Sequence, residues 1–130
     1  MSTNTTDTHI FSAGDHDKTQ STKIIVSAYY RVHPDDRQTF INAVKPEMQA
    51  AQRLSGCVFY AFSQDLVNPD AFHLSEGWVD IDAYERHEHS ETFLKALATV
   101  VKHVRILHRE GIRYDVAEQH IDDPRGNVSS

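Results

Sequence analysis

A chain of 130 residues, 39% apolar and 25% charged, has the size and composition of one globular domain and is long enough to build a core without disulfides or a structural metal. Its single cysteine, Cys57, excludes an intramolecular disulfide framework and a cysteine-built zinc site, and points to a reducing, cytoplasmic setting. A net charge of −6, from 13 Lys and Arg against 19 Asp and Glu, gives no electrostatic reason to approach nucleic acid or an anionic membrane, so neither partner is expected.

Residues 1–22 are rich in Thr, Ser, Asp and Asn, with Ile10, Phe11 and Ala13 as their apolar members after Met1, too few to offset the entropy of ordering them. They read as a mobile tail without the basic flank and roughly 7 to 15 apolar residues of a signal peptide. The β-branched and aromatic run 24–32 predicts a first strand. Pro34 then suits the first position of a helix whose Phe40, Ile41, Val44, Met48 and Ala51 recur at helical spacing. Pro46 inside that pattern predicts a kink or short break near Val44, and Gly56 ends the segment.

Residues 57–63 and 72–79 predict two strands joined by the Asn68-Pro69-Asp70 turn, pairing as a hairpin. Asp80 caps a short helix with Ile81, Ala83 and Tyr84. Ser90 caps the next, whose Phe93, Leu94, Leu97, Val100, Val101 and Val104 form an apolar stripe. A last strand follows at 106–116, and the segment 118–130 is again polar. No run approaches the ~18 continuous apolar residues of a membrane span. The order predicts an α+β fold: a ferredoxin-like split βαβ domain over 23–117, with both helical segments on one face of a four-stranded antiparallel sheet. Tyr29, Phe59 and Val79 leave the other face mixed in polarity, which predicts a homodimer packed sheet against sheet.

The segments Gly56-Cys57-Val58-Phe59-Tyr60, Phe72-His73-Leu74-Ser75-Glu76-Gly77-Trp78, His87-Glu88-His89-Ser90 with Phe93, and Arg113-Tyr114-Asp115-Val116 resemble the antibiotic biosynthesis monooxygenase family. These are dimeric α+β barrel proteins that include quinol monooxygenases. The resemblance covers about residues 23–116, most specifically from Glu76 through Trp78 to His87 and Ser90. It implies a pocket between sheet and helices. It further implies an oxygenase acting without flavin or metal on a small phenolic, quinol-like or polyketide-derived aromatic compound, with dioxygen as second substrate. The sequence has no glycine-rich nucleotide loop, and an expectation of no cofactor follows. Haem degradation, known among proteins of the same fold, is disfavoured: its asparagine and histidine positions hold Ala28 and Leu97, with only Trp78 retained.

Strand parity places Phe72, Leu74, Glu76 and Trp78 on one face, as it does Val26, Ala28 and Tyr30. Assigned to the helix side, Glu76 is a carboxylate among apolar neighbours and needs a partner or a raised pKa. His87, at a helix junction, is the candidate general base reaching over the pocket mouth, with an imidazole near its ordinary pKa. Glu76 is the second candidate catalytic residue, and Tyr60, Leu74, Trp78, Tyr30 and Phe93 are candidates to bind the substrate. A structural reading stands beside each: a helix-end histidine bonded to a carbonyl or to Glu76, an ion-paired glutamate, core aromatics. The same pocket also suits an isomerase working by proton transfer without oxygen, or a non-catalytic binding dimer.

Nine histidines raise a metal site, but His87 and His89 lie about 200° apart on a helix, and His103 and His108 fall on different elements. None is predicted. The basic cluster of Lys102, His103, Arg105, His108 and Arg109 reads as a solvated helix end, and Cys57 as a small buried thiol.

Overall fold

The computed structural model describes residues 17–126. Strand β1 (Ile24–Val32) is followed by a 3-10 turn (Pro34–Asp36) and helix α1 (Arg37–Ala51); β2 (Cys57–Gln64) and β3 (Ala71–Trp78) form the hairpin; α2 (Ile81–Glu88) and α3 (Glu91–His103) lead to β4 (Ile106–Asp115). The sheet order is β2-β3-β1-β4, with all neighbours antiparallel. The predicted α+β, ferredoxin-like class is the observed one. The predicted caps act at both helices: Asp80 accepts from the Ala83 amide at 2.8 Å, and Ser90 from Phe93 at 3.3 Å.

Helix α1 runs unbroken through Pro46, against the predicted interruption. Proline cannot donate to the Asn42 carbonyl four residues back, but Asn42 and Pro46 both lie on the exposed face, where water can take that carbonyl. After α1, Gly56 has φ +85°, and a Cβ there would stand 2.5 Å from the Ala83 side chain. This turn therefore needs glycine for its left-handed backbone and to bring α2 against the start of β2.

Two buried clusters hold the sheet to α1 and α2. One gathers Ile24, Ala28, Ala51, Tyr60, Leu74, Trp78 and Ala83, the other Val32, Phe40, Val44, Phe72 and Val104. Phe40 touches the rings of Tyr30, Phe62 and Phe72, and truncating such a residue costs about 3–5 kcal/mol.

The α3–β4 side differs. The predicted apolar stripe exists, yet no α3 residue is fully buried, and Val101 is 75% exposed. The helix leans on α1 and α2 and stands off the sheet, leaving a cavity beneath it. All of β4 is exposed.

Of the segment 1–22, residues 1–16 lie outside the described residues. The rest makes specific contacts: the Thr22 amide donates to Gln119 Oε1 at 2.8 Å, and the Lys18 ammonium lies 4.7 Å from the centre of the Phe59 ring. Among the described residues no helix is long and apolar enough to cross a membrane.

Candidate functional site

A cavity of about 470 Å³ opens between the sheet and α3. Its walls are mostly apolar, with Tyr30, Phe62, Leu74 and Phe93 among them, and its polar groups are Glu47, Tyr60, Glu76, Tyr84, His87, Glu88 and Arg109.

The closed end is built by three elements. Strand parity turns Glu76 inward, paired with Val26 on one side and Tyr60 on the other. Helix α1 delivers Glu47 because Phe40, Val44, Glu47 and Ala51 form its buried face. Helix α2 delivers His87 one turn after Ala83, both buried. The Trp78 indole donates to Glu76 Oε1 at 3.0 Å, and the Tyr60 hydroxyl donates to Glu47 Oε1 at 2.9 Å. His87 sits between the two carboxyls, with Nε2 4.0 Å from Glu76 Oε1 and Nδ1 3.9 Å from Glu47 Oε2. Those last two atoms, His87 Nδ1 and Glu47 Oε2, are buried without a hydrogen bond. The imidazole stacks on Trp78, with centroids 4.9 Å apart, and contacts the rings of Tyr60 and Phe93.

Burial dominates the charge states. It pushes the Glu76 carboxyl up to about 7, with a further push from Glu88, against the opposing Trp78 hydrogen bond and the Arg109 charge. It raises Glu47 to about 7 as well, against the Tyr60 hydrogen bond and with a further push from Glu76. The same desolvation lowers His87 to about 4, since each group is held toward its uncharged form. Near neutral pH the closed end is therefore a weakly charged assembly in which a carboxyl, not the imidazole, is poised to exchange a proton.

Glu76, Tyr60, Leu74, Tyr30, Phe93 and His87 all line the cavity. Two expectations change. His87 is 2% exposed and belongs to the closed end rather than the mouth, and the aromatic box around it removes the ordinary imidazole pKa. Trp78, also expected in the wall, lies behind His87 with no exposed surface, because the end of β3 is covered by α2 and the Gly56 turn.

Four polar residues of the cavity escape the sequence reading: Glu47, Arg109, and the pair Tyr84 and Glu88, whose hydroxyl donates to the carboxylate at 2.7 Å. Glu47 was detectable as an acid on the apolar stripe of α1. Arg109 was grouped with the basic helix end; instead it extends from β4 over the cavity, its guanidinium 5.2 Å from the Tyr30 ring centre. Arg105 of the same cluster is not merely solvated, since its Nε and backbone amide both donate to Asp36 Oδ2, at 2.9 and 2.8 Å. Among the described residues no three His, Cys, Asp or Glu side chains are placed to hold a metal ion.

Comparison with known proteins agrees with the architecture. A family model described as antibiotic biosynthesis monooxygenase matches residues 23–99. A solved candidate antibiotic biosynthesis monooxygenase from Deinococcus radiodurans is similar at 20% identity over 77% of this chain and 98% of that one, with a TM-score of 0.70. A conserved protein from Methanosarcina mazei is similar at 25% identity over 73% and 93%, with a TM-score of 0.66. A protein of unknown function from Bacteroides thetaiotaomicron, described as a candidate oxidoreductase, shares 18% identity over 74% and 99%, also with a TM-score of 0.66. No curated protein matches.

Proposed function

We propose that this chain, which belongs to the antibiotic biosynthesis monooxygenase family, is a cofactor-independent monooxygenase acting on a small phenolic, quinol-like or polyketide-derived aromatic compound. The observation that carries this reading is an apolar cavity whose closed end holds a carboxyl, Glu76, with its pKa near 7. A base of that pKa is matched to taking a phenolic proton at neutral pH, and the Trp78 bond to Oε1 leaves the second oxygen for it.

Removing the proton leaves an electron-rich phenolate, which the apolar walls shield from water. The phenolate passes one electron to dioxygen, and the radical pair combines at a ring carbon to form a C–O bond. Loss of that carbon's hydrogen with cleavage of the O–O bond leaves a ring carbonyl and water. Phenol and dioxygen thus give quinone and water, with all four electrons drawn from the substrate. Glu76 returns its proton to the departing hydroxide. His87, neutral and stacked on Trp78, is the positioning group that keeps the two carboxyls apart, and Glu47 of α1, held by the Tyr60 hydroxyl of β2, backs it.

Oxygen uptake with a panel of hydroquinones, with and without added flavin, tests the reading. Uptake that is independent of flavin and matched by hydroxyquinone carrying one oxygen atom from dioxygen is expected, whereas unhydroxylated quinone with hydrogen peroxide would mark simple oxidation and overturn the reading. Product formed without oxygen consumption would make the protein an isomerase using the same carboxyl, and no turnover with tight ligand binding would leave a binding protein.

The second copy expected from the sequence belongs to this proposal too. The sheet face opposite the cavity exposes half of Ile112 and Tyr114 beside Tyr29. A partner sheet there would bury more than about 1,000 Å². Sedimentation at micromolar concentration should give a dimer, and a monomer would remove the partner from the proposal.

A further inference from the structure

Arg109 is the only arginine or lysine lining the cavity, among the described residues. Its neighbours on the same side of the fold find acids: Arg105 pairs with Asp36, and Arg113 lies 3.7 Å from Asp115. No acidic side chain among the described residues comes within 4.0 Å of the Arg109 guanidinium. The group is nonetheless held in place. It lies over the Tyr30 ring, and a Cβ at Gly111 would stand 3.0 Å from both of its terminal nitrogens. Glycine two residues along on the same strand face thus clears the space through which the arginine turns back toward the cavity.

The two ends of the cavity are chemically opposite. At the closed end are carboxyls held toward their neutral form; at the open end a fixed cation stands with Leu97 and the exposed Val101 and Ile106. In register, Glu76 pairs with Val26 and Arg109 with Tyr30. The two residues lie on the strands flanking β1 on either side, so their backbones are offset by four residues along β1, about 13 Å, and by two strand spacings, about 10 Å, across the sheet. The Arg109 guanidinium turns back over Gly111, which pairs with Ala28, and from there its charge is felt at the Glu76 carboxyl across the cavity. A guanidinium fork matches a carboxylate in plane and charge, and in a mostly apolar cavity this attraction is less screened than in bulk water.

We propose that the substrate carries an anionic group, a carboxylate or its equivalent, at the end remote from its reacting phenol, and that Arg109 binds that group at the cavity mouth. This rests on the reading of the cavity as an aromatic-substrate site and names the class of substrate it takes. Arg109 is a specificity-determining residue in this arrangement. It fixes which end of the ring system enters first, since the closed end, with its imidazole held neutral, offers the anion no cation.

The test is calorimetric binding of 6-hydroxy-2-naphthoate and of its neutral analogue 6-hydroxy-2-naphthamide to the full chain, with Arg109→Gln and Arg109→Lys checked for intact folding by circular dichroism. The parent should bind the acid at least about tenfold tighter than the amide. Arg109→Gln should abolish that preference, and Arg109→Lys should retain part of it. Equal binding of acid and amide by the parent, no binding of either, or a preference that survives in Arg109→Gln, would overturn the proposal. None of these outcomes depends on oxygen. A protein that selects the acid through Arg109 but consumes no oxygen would keep this inference and lose the monooxygenase, whereas oxygen uptake with neutral hydroquinones and no acid preference would do the reverse.

Discussion

The closed end of the cavity and its mouth are built from the same kinds of element, a helix laid against strands, yet they reach opposite states. At the closed end, α1 and α2 press on β3 and β2 until Tyr60, Trp78 and His87 retain almost no exposed surface. At the mouth, α3 and β4 contain no fully buried residue. Burial is what changes the chemistry. A carboxyl at the closed end is pushed up to about 7, while Asp36, which fastens Arg105 two residues after α3, is pulled down to about 2 by its hydrogen bonds from Arg105. The fold keeps its buried carboxyls where water is excluded and leaves the cavity mouth loosely packed.

The largest effect should come from removing the proton acceptor at the closed end. Glu76→Gln keeps the shape and a partner for the Trp78 indole but cannot take a proton, so turnover should fall about 10² to 10⁴-fold with little change in melting temperature. Steady-state rates on the best hydroquinone decide this. Activity close to that of the parent would move the base elsewhere and dissolve the contrast between the two ends.

Packing supplies the next test. Phe40→Ala, in the buried half, should cost about 3–5 kcal/mol in denaturant unfolding. Val101→Ala, 75% exposed at the mouth, should stay within about 0.5 kcal/mol. A cost for Val101→Ala comparable to that for Phe40→Ala would mean that a second copy or another segment covers the mouth in solution.

The dependence of stability on pH sharpens the comparison further. Glu47 and Glu76 are raised to about 7 from an ordinary 4.5, so the folded protein holds protons that the unfolded chain releases, and stability falls as pH rises through that window. His87, lowered to about 4 from 6.5, works in the opposite sense: the unfolded chain gains a proton that the fold refuses, and stability is lost as pH falls from 6.5 toward 4. Between these values the two carboxyls outweigh the one imidazole by one proton, a slope of about 1.4 kcal/mol per pH unit. Maximal stability is therefore expected near about pH 5, with a decline toward pH 8 that Glu47→Gln flattens. Stability that instead rises from pH 5 to pH 8 would mean that the closed end is charged.

The sequence showed much of this and missed identifiable parts. Strand order and helix limits were readable because β-branched runs, the Asp80 and Ser90 caps and Gly56 all act locally. Glu76 was readable because strand parity has a period of two. Glu47 is legible by the same kind of argument, as an acid inside the apolar stripe of α1, but a stripe traced through Ile41 and Met48 hides it among surface residues. The protonation preference of His87 depends on rings from β2, β3 and α3 meeting around it, which no local pattern encodes. Arg109 was absorbed into a basic run because the end of α3 and the start of β4 are contiguous in sequence, although the strand turns them to different surroundings.

The smallest effect is expected at the clasp that ties the mouth to the rest of the fold. Asp36 receives the Arg105 amide, Nε and a terminal guanidinium nitrogen, and the His33 amide donates to the Arg105 carbonyl, so the entry to β4 is fastened beside the start of α1. The Arg105 side chain is 60% exposed, and solvent screening keeps such a pair modest. The Asp36 carboxyl pKa is lowered in the fold, so the contribution is present above the ordinary value of 3.8 and is lost as pH falls through about 2. Asp36→Asn should melt slightly below the parent at pH 6, and the gap should close by about pH 2. Hydrogen exchange should quicken at the Arg105 amide, which loses its carboxylate acceptor, and remain unchanged in β3. If the gap persists at low pH, Asp36 acts through shape rather than charge, and the mouth is held by packing as the closed end is.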